Sequence, residues 1–239
     1  MKKIQANNRF GLTGTPIENS LSELWSIYRV IFPQLFRELE EFSHMQRKDI
    51  ARRVRPFLLR RMKEQVLMEL PGKEETLETS ELFPEQKALY AAYLAKLRFD
   101  ALKHLDKETF HKNRIRILAG ITRLRQICCH PALFVEGYKG SSAKFEQLLH
   151  ILEESKASGR RVLIFSQFTQ MLKLIATELA KRGDSYFYLD GQTPPEDRVL
   201  LCNQFNEGER DLFLISLKAG GTGLNLTGAD SGVRSSAWI

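Results

Sequence analysis

The stretch Leu214-Ile215-Ser216-Leu217-Lys218-Ala219-Gly220-Gly221-Thr222-Gly223-Leu224-Asn225-Leu226-Thr227 decides how the second part of this chain folds. A short apolar run opens directly into a loop with three glycines in four positions, followed by small polar residues. Glycine admits φ > 0 and lets a backbone approach another group with no Cβ in the way. Successive N–H groups in such a loop can converge on an anion, most often phosphate. Taken alone, a glycine-rich loop after a strand is more often only a tight turn, so its weight comes from its surroundings.

Outward from that loop, helix and strand alternate from residue 144 onward. The pattern predicts a helix over 145–156, a strand over 161–165 and a helix over 168–182 closed by Gly183 as its C′ residue. A strand over 186–189, a helix over 195–206 and a strand over 211–216 complete the series. Such alternation predicts a parallel sheet covered on both faces. Ligands of α/β sheets sit beyond the carboxyl ends of the strands. Ser166, Gln167, Asp190, Gly191 and residues 216–225 all fall there. Ser166 and Gln167 can hydrogen-bond phosphate oxygens without reading base identity, or can serve as a helix N-cap pair.

Ahead of residue 144 the chain is mostly helical. Phe10-Gly11-Leu12 is expected to finish a strand, with Thr13-Gly14-Thr15-Pro16 as the loop after it. Ser20-x-x-Glu23 has capping-box spacing, and Leu21, Leu24, Trp25, Tyr28 and Ile31 follow at helical intervals until Phe32-Pro33. Residues 34–65 are expected to be further helix, carrying Arg52, Arg53, Arg55, Arg60, Arg61 and Lys63; residues 66–84 are a linker or extended segment. A helix over 85–105 has Leu89, Ala92, Tyr93, Leu97 and Leu105 on its apolar side. Another over 113–129 has Ile115, Leu118, Ile121 and Cys128 on one face, and 137–142 form a loop.

Bulk properties narrow the class. At 239 residues, 43% hydrophobic and 27% charged, the chain is an ordinary globular sequence with room for one or two cores. No apolar run approaches the ~20 residues that span a bilayer, and no signal-peptide pattern opens the chain. Three cysteines at unpaired spacing predict reduced thiols. Cys128-Cys129-His130 invites a zinc reading, but adjacent cysteines chelate one ion poorly and no second ligand pair exists, so buried thiols are expected. Residues 1–143 carry 25 Lys+Arg against 17 Asp+Glu, a net +8, whereas 144–239 carry 11 against 12, a net −1. The basic excess suits contact with a polyanion, and it also suits a solvated basic face.

Three segments in order, Leu12-Thr13-Gly14-Thr15-Pro16, Val162-Leu163-Ile164-Phe165-Ser166-Gln167 and the glycine-rich stretch, resemble motifs III, IV and V of the Swi/Snf-type DNA-dependent ATPases of helicase superfamily two. The intervening blocks agree: Arg55-Pro56-Phe57-Leu58-Leu59-Arg60-Arg61, Leu70-Pro71-Gly72-Lys73, Leu124-Arg125-Gln126-Ile127-Cys128-Cys129-His130-Pro131 and Tyr188-Leu189-Asp190-Gly191. The resemblance implies an α/β fold: a RecA-like parallel-sheet lobe preceded by a mainly helical segment and the end of a truncated first RecA-like lobe. Its divisions would be 1–33 (end of the first lobe), 34–65 (helical protrusion), 66–84 (linker), 85–142 (second helical region) and 143–239 (second lobe, ending before motif VI).

The same resemblance implies roles. Thr13, Gly14 and Thr15 would couple ATP state to DNA contact; Ser166, Gln167, Ser216 and Lys218 would touch the DNA backbone. Gly220, Gly221, Thr222, Gly223 and Asn225 would face the ATP cleft, with Asp190 and Gly191 alongside. The full-length protein would use ATP and Mg²⁺ and act on double-stranded DNA, with the missing N-terminal lobe of the same protein as partner, no membrane, and a bacterial cytoplasmic or, in a eukaryote, nuclear location. No metal site is expected in this chain. The arginines of 52–61 could guide phosphates or join the lobes through carboxylates, while Arg114, Arg116, Arg123 and Arg125 are expected on a solvated face.

The sequence contains no G-x-x-x-x-G-K-[S/T] and no Asp-Glu pair, the parts that hold phosphates and Mg²⁺ in phosphoryl transfer. The chain alone is therefore expected to be an internal fragment inactive in ATP hydrolysis and to hold neither ATP nor Mg²⁺ by itself. Residues 231–239, Ser-Gly-Val-Arg-Ser-Ser-Ala-Trp-Ile, are polar where the family continues with a buried strand, which suggests an out-of-frame or junction tail. Two alternatives stand beside the translocase: a non-enzymatic nucleic-acid-binding module that keeps the second lobe, and an unrelated α/β phosphate-binding domain.

Overall fold

Strands β1 (Val162–Ser166), β2 (Tyr186–Leu189), β3 (Leu212–Ser216) and β4 (Ser231–Ser235) form a wholly parallel sheet in the order β2-β3-β1-β4. The computed structural model that shows this describes residues 6–17, 20–61, 65, 74–102, 107–221 and 223–235. It divides into two units, Met1–Thr76 and Leu77–Ile239, of which the second contains the sheet.

In the first unit, α1 (Leu21–Ile31), α2 (Leu39–His44) and α3 (Arg47–Val54), with a 3-10 turn at Arg55–Phe57, enclose Leu24, Tyr28, Phe36, Phe42, Ile50 and Val54. The helix at 21–31 stands as the spacing predicts. The Ser20 hydroxyl makes no bond to the start of that helix and pairs instead with the Ser22 hydroxyl. Of the helix expected over 34–65, the described residues show α2 and α3 separated by the extended Met45 and Gln46, while residues 58–61 carry no regular structure and residue 65 is again helical. Nor is there a strand at Phe10-Gly11-Leu12: Phe10 and Leu12 are exposed, and no strand among the described residues of this unit offers a partner. Lys63, Leu105 and residues 66–73 lie outside the described residues.

The second unit opens with α4 (Pro84–Leu102) packed on α5 (Lys107–Cys129). The close approach is made at Gly120, where a Cβ would stand 2.3 Å from a methyl of Leu97. Gln86 is wholly buried and donates from Nε2 to the carbonyls of Ile127 and Cys128 at 2.8 and 3.3 Å, capping the end of α5. Two expected faces are thereby corrected. Ala92 is exposed, and α5 buries Gly120, Leu124 and Ile127 while Ile115, Leu118 and Ile121 face solvent. Apolar residues lie on both sides of α5, so spacing alone could not choose the buried one.

Helices α6 (Ala143–Ala157), α7 (Thr169–Lys181) and α8 (Pro195–Glu207) then alternate with the strands as the sequence predicts. Ser142 caps α6, accepting from Phe145 N at 3.2 Å while its hydroxyl donates to the Cys129 carbonyl at 2.7 Å. Gly183 closes α7 at φ +76°, with Asp184 N donating to Leu179 O at 2.9 Å in the manner of a Schellman end. Strand alternation sends Leu212 and Leu214 into one core with Ile164, Met171, Leu172 and Ile175. It sends Phe213 and Ile215 into a second core with Phe187, Leu189, Cys202 and Phe205. Both faces of the sheet are therefore covered, which explains why β3 is buried along its whole length.

The tail departs from expectation: residues 231–235 form β4, paired in parallel with β1. An edge strand is recruited through its backbone, so polar side chains do not forbid it. Asp230 fastens its start by accepting from Arg161 N at 2.8 Å, and Val233 packs against the first core. Residues 236–239 lie outside the described residues.

Candidate nucleic-acid interface

The strand register sets the carboxyl-terminal rim. Ser166 pairs with Ser216 and Leu189 with Ile215, so residues 166–168, 190–193 and 216–221 emerge along one edge of the sheet. The sequence pattern puts them together, and the register does the same.

Their side chains divide into two kinds. Ser166 is fully buried; its hydroxyl accepts from Phe168 N at 3.2 Å and its carbonyl accepts from Leu217 N at 2.9 Å. Ser216, also buried, accepts from Ala219 N at 3.3 Å through its hydroxyl and from Gly220 N at 2.8 Å through its carbonyl. Both serines shape the loops that leave β1 and β3 and do not face solvent. Gln167 and Lys218, by contrast, are exposed. They are solvent-exposed side chains at the starts of these two loops.

Gly220 turns the loop back onto the sheet. A Cβ there would meet Ile215 Cγ2 at 2.7 Å and Phe165 Cε1 at 3.2 Å, so only glycine fits this approach without displacement. Gly221 is exposed, Gly223 sits at φ +80°, and Thr222 lies outside the described residues. Asn225 is exposed as a residue, and its carbonyl accepts from Asn206 Nδ2 at 3.0 Å.

The loop after β2 is braced from within. Asp190 Oδ1 accepts from Gln192 N at 2.9 Å, and Asp190 N donates to Thr193 Oγ1 at 3.1 Å. Arg198 of α8 donates to the carbonyls of Thr193 and Asp190 at 2.9 and 3.3 Å. Asp190 is thus a turn-forming carboxylate, and it leaves Gly191 exposed with open space where a side chain would stand. Burial, then the neighbouring Asp190 carboxylate, pushes the Tyr188 phenol upward.

Two residues that the motif pattern does not single out hold this rim. Arg198 is one. Arg125, expected on a solvated face, is the other: its Nη2 donates to Gln167 Oε1 at 2.6 Å and its guanidinium lies 6.0 Å from the Phe168 ring centroid. Forty-two positions separate the pair, and no local pattern announces such a contact.

Thr13, Gly14 and Thr15 belong to the first unit. They are exposed, with Thr15 N donating to Thr13 Oγ1 at 3.1 Å, and a Cβ added at Gly14 would meet nothing within 4 Å. The arginines at 52, 53, 55, 60 and 61 are exposed as well, Arg52 pairing with Asp49 at 2.9 Å.

At the Cys128-Cys129-His130 block, His130 Nδ1 accepts from Ala132 N at 3.1 Å, and burial lowers the imidazole's affinity for a proton. Burial likewise raises the Cys128 thiol. Among the described residues no cluster of three or more His, Cys, Asp or Glu is arranged to hold a metal ion. Among the described residues no helix is long and apolar enough to cross a membrane.

Residues 1–133 match the SNF2-related domain and residues 143–238 the helicase conserved C-terminal domain. The chain is 34% identical over 254 residues to the Mus musculus SWI/SNF-related matrix-associated actin-dependent regulator of chromatin subfamily A member 1, covering 96% of this chain and 24% of that protein. It is 36% identical over 267 residues to nuclear protein STH1/NPS1 of Saccharomyces cerevisiae, covering 95% and 19%. Among solved structures, the Sulfolobus solfataricus SWI2/SNF2 ATPase core in complex with dsDNA aligns with a TM-score of 0.63 at 29% identity, over 94% of this chain and 51% of that one. The C-terminal domain of the Sulfolobus solfataricus SWI2/SNF2 ATPase aligns at 0.57 and 29%, over 64% and 68%. The chain thus spans between 19% and 24% of the length of these two curated relatives.

Proposed function

The chain belongs to the SNF2 family of helicase-like ATPases, and we propose that it serves a longer ATP-driven translocase as the part that grips the backbone of double-stranded DNA. The observation that carries this reading is the convergence of three loops on the carboxyl-terminal rim, with Gln167 and Lys218 turned to solvent there. An amide and an ammonium can bind phosphate oxygens on any sequence, which is what stepping along a duplex requires. Support comes also from the dsDNA held by the aligned Sulfolobus solfataricus core.

In this proposal Ser166 and Ser216 act indirectly, by fixing the loops that present Gln167 and Lys218. Gly220, Gly221, Thr222, Gly223 and Asn225 line the side that faces ATP, and Asp190 keeps the Gly191 turn beside them. Thr13, Gly14 and Thr15, with two hydroxyls around an unobstructed glycine, relay the state of the nucleotide. ATP and Mg²⁺ supply the phosphoryl-transfer chemistry, held mainly by groups outside this chain.

The purified chain should turn over no ATP, with or without duplex DNA, and should bind DNA weakly and without sequence preference. Phosphate release stimulated by DNA would overturn the first statement. The non-enzymatic module differs from the translocase in one readable feature, namely whether the gene upstream of Met1 encodes a phosphate-loop lysine and an acidic Mg²⁺ pair.

A further inference from the structure

We propose that Arg125 is a positioning residue for DNA, acting through the side-chain amide of Gln167. This inference rests on the DNA-backbone role given above to the rim and names the group that orients it.

The chemistry follows from the donors available. A guanidinium only donates hydrogen bonds, so the amide atom facing Arg125 at 2.6 Å is the Gln167 oxygen. With Oε1 engaged, the Nε2 end of the amide is left as the outward end, carrying two donors. A phosphodiester accepts hydrogen bonds and offers none. An amide presented nitrogen-first therefore binds phosphate, and one presented oxygen-first repels it. Arg125 selects the first orientation before DNA arrives, which removes an ordering cost from binding.

Arg125 is itself well placed to do this. It sits in the last two turns of α5, whose end is pinned by Gln86 to the carbonyls of Ile127 and Cys128. Its guanidinium lies near the Phe168 ring, on the residue immediately after Gln167. The buried Ser166 hydroxyl accepts from Phe168 N on the other side of Gln167 in the chain. Both neighbours of Gln167 are thereby fixed, and Arg125 fixes the amide itself. The guanidinium's positive charge, close behind the amide, adds to the attraction for phosphate.

The test uses the complete chain and a fluorescent random-sequence duplex, with Arg125→Met, Arg125→Lys, Gln167→Ala and the double variant Arg125→Met/Gln167→Ala. Met keeps the apolar stem and removes the donors; thermal unfolding checks that each variant folds. Arg125→Met should weaken DNA binding about fivefold, Gln167→Ala by a similar factor, and the double variant by little more than the worse single. Arg125→Lys should restore part of the loss, because an ammonium can still donate to Oε1. Independently, the Gln167 Nε2H₂ resonances of the unbound chain should lie away from free-glutamine values in the native protein and move toward them in Arg125→Met. Multiplicative losses in the double variant, or Gln167 resonances indifferent to Arg125→Met, would refute the inference. Failure of the native chain to bind DNA would instead overturn the rim's proposed function, a distinct outcome.

Discussion

Replacing Gly220 with alanine tests whether the motif loop really folds back onto the sheet. An added Cβ would lie 2.7 Å from Ile215 Cγ2 and 3.2 Å from Phe165 Cε1, against an ordinary carbon contact of about 3.5–4.0 Å. Roughly 1 Å of overlap must be relieved. Ile215 has no accessible surface and shares a core with Phe187, Phe205 and Phe213, so it has little room to yield. Overpacking of this kind costs about 1–3 kcal/mol. Alanine returns about 0.4–1 kcal/mol by narrowing the unfolded ensemble. The expected net loss is about 1–2 kcal/mol, or a fall of roughly 2–8 °C in melting temperature for a unit of this size. Gly221→Ala is the matched control: its nearest neighbour would be the Leu217 carbonyl at 3.4 Å, so its stability should stay within about 0.5 kcal/mol of native. Urea denaturation followed by far-ultraviolet circular dichroism measures both. If Gly220→Ala were as stable as the native chain, or Gly221→Ala the worse of the two, the close approach argued from the loop geometry would be wrong.

Other outcomes follow from the same structure. Ile127→Ala should cost about 2–4 kcal/mol, whereas Ile115→Glu, at a position 78% exposed, should cost under about 0.5 kcal/mol; equal losses in urea titrations would contradict the orientation of α5. His130 is 6% exposed, and because burial disfavours the charged imidazole it binds its proton less readily folded than unfolded. The stability it contributes is complete above its ordinary value near 6.5 and declines as pH falls below that, because the unfolded chain then takes up the proton first. Urea midpoints at pH 7.5 and 5.5 should therefore differ less in His130→Asn than in the native chain, and an equal difference would count against this.

How much of this is legible in the sequence varies by element. The strand at 186–189 can be placed to the residue, and Gly183 reads as a helix stop, because a left-handed end and a short aromatic strand carry local signals. The rim follows from strand ends alone. Orientation of α5 does not, since Gly120 against Leu97, a contact between two helices, chooses the buried face there. The Ser20 hydroxyl is taken from its capping role by a competing hydroxyl two residues away. β4 is hidden because backbone pairing, not side-chain polarity, recruits an edge strand. Ser166 and Ser216 are legible as rim residues but not as buried braces, and the bond from Arg125 to Gln167 spans too much chain for any local pattern to reveal.

The claim beneath all of this is that duplex DNA meets the protein at the carboxyl ends of β1 and β3. Fluorescence anisotropy of the complete chain with a labelled duplex, titrated across salt, addresses it when three proteins are compared: native, Lys218→Glu, and Arg160→Glu, which reverses an exposed charge at the opposite end of β1. Affinity of the native chain should fall linearly with salt on logarithmic axes, and Lys218→Glu should weaken binding and lower that slope by about one. Arg160→Glu should leave both nearly unchanged. Native-like binding by Lys218→Glu, or a larger loss from Arg160→Glu, would contradict the account.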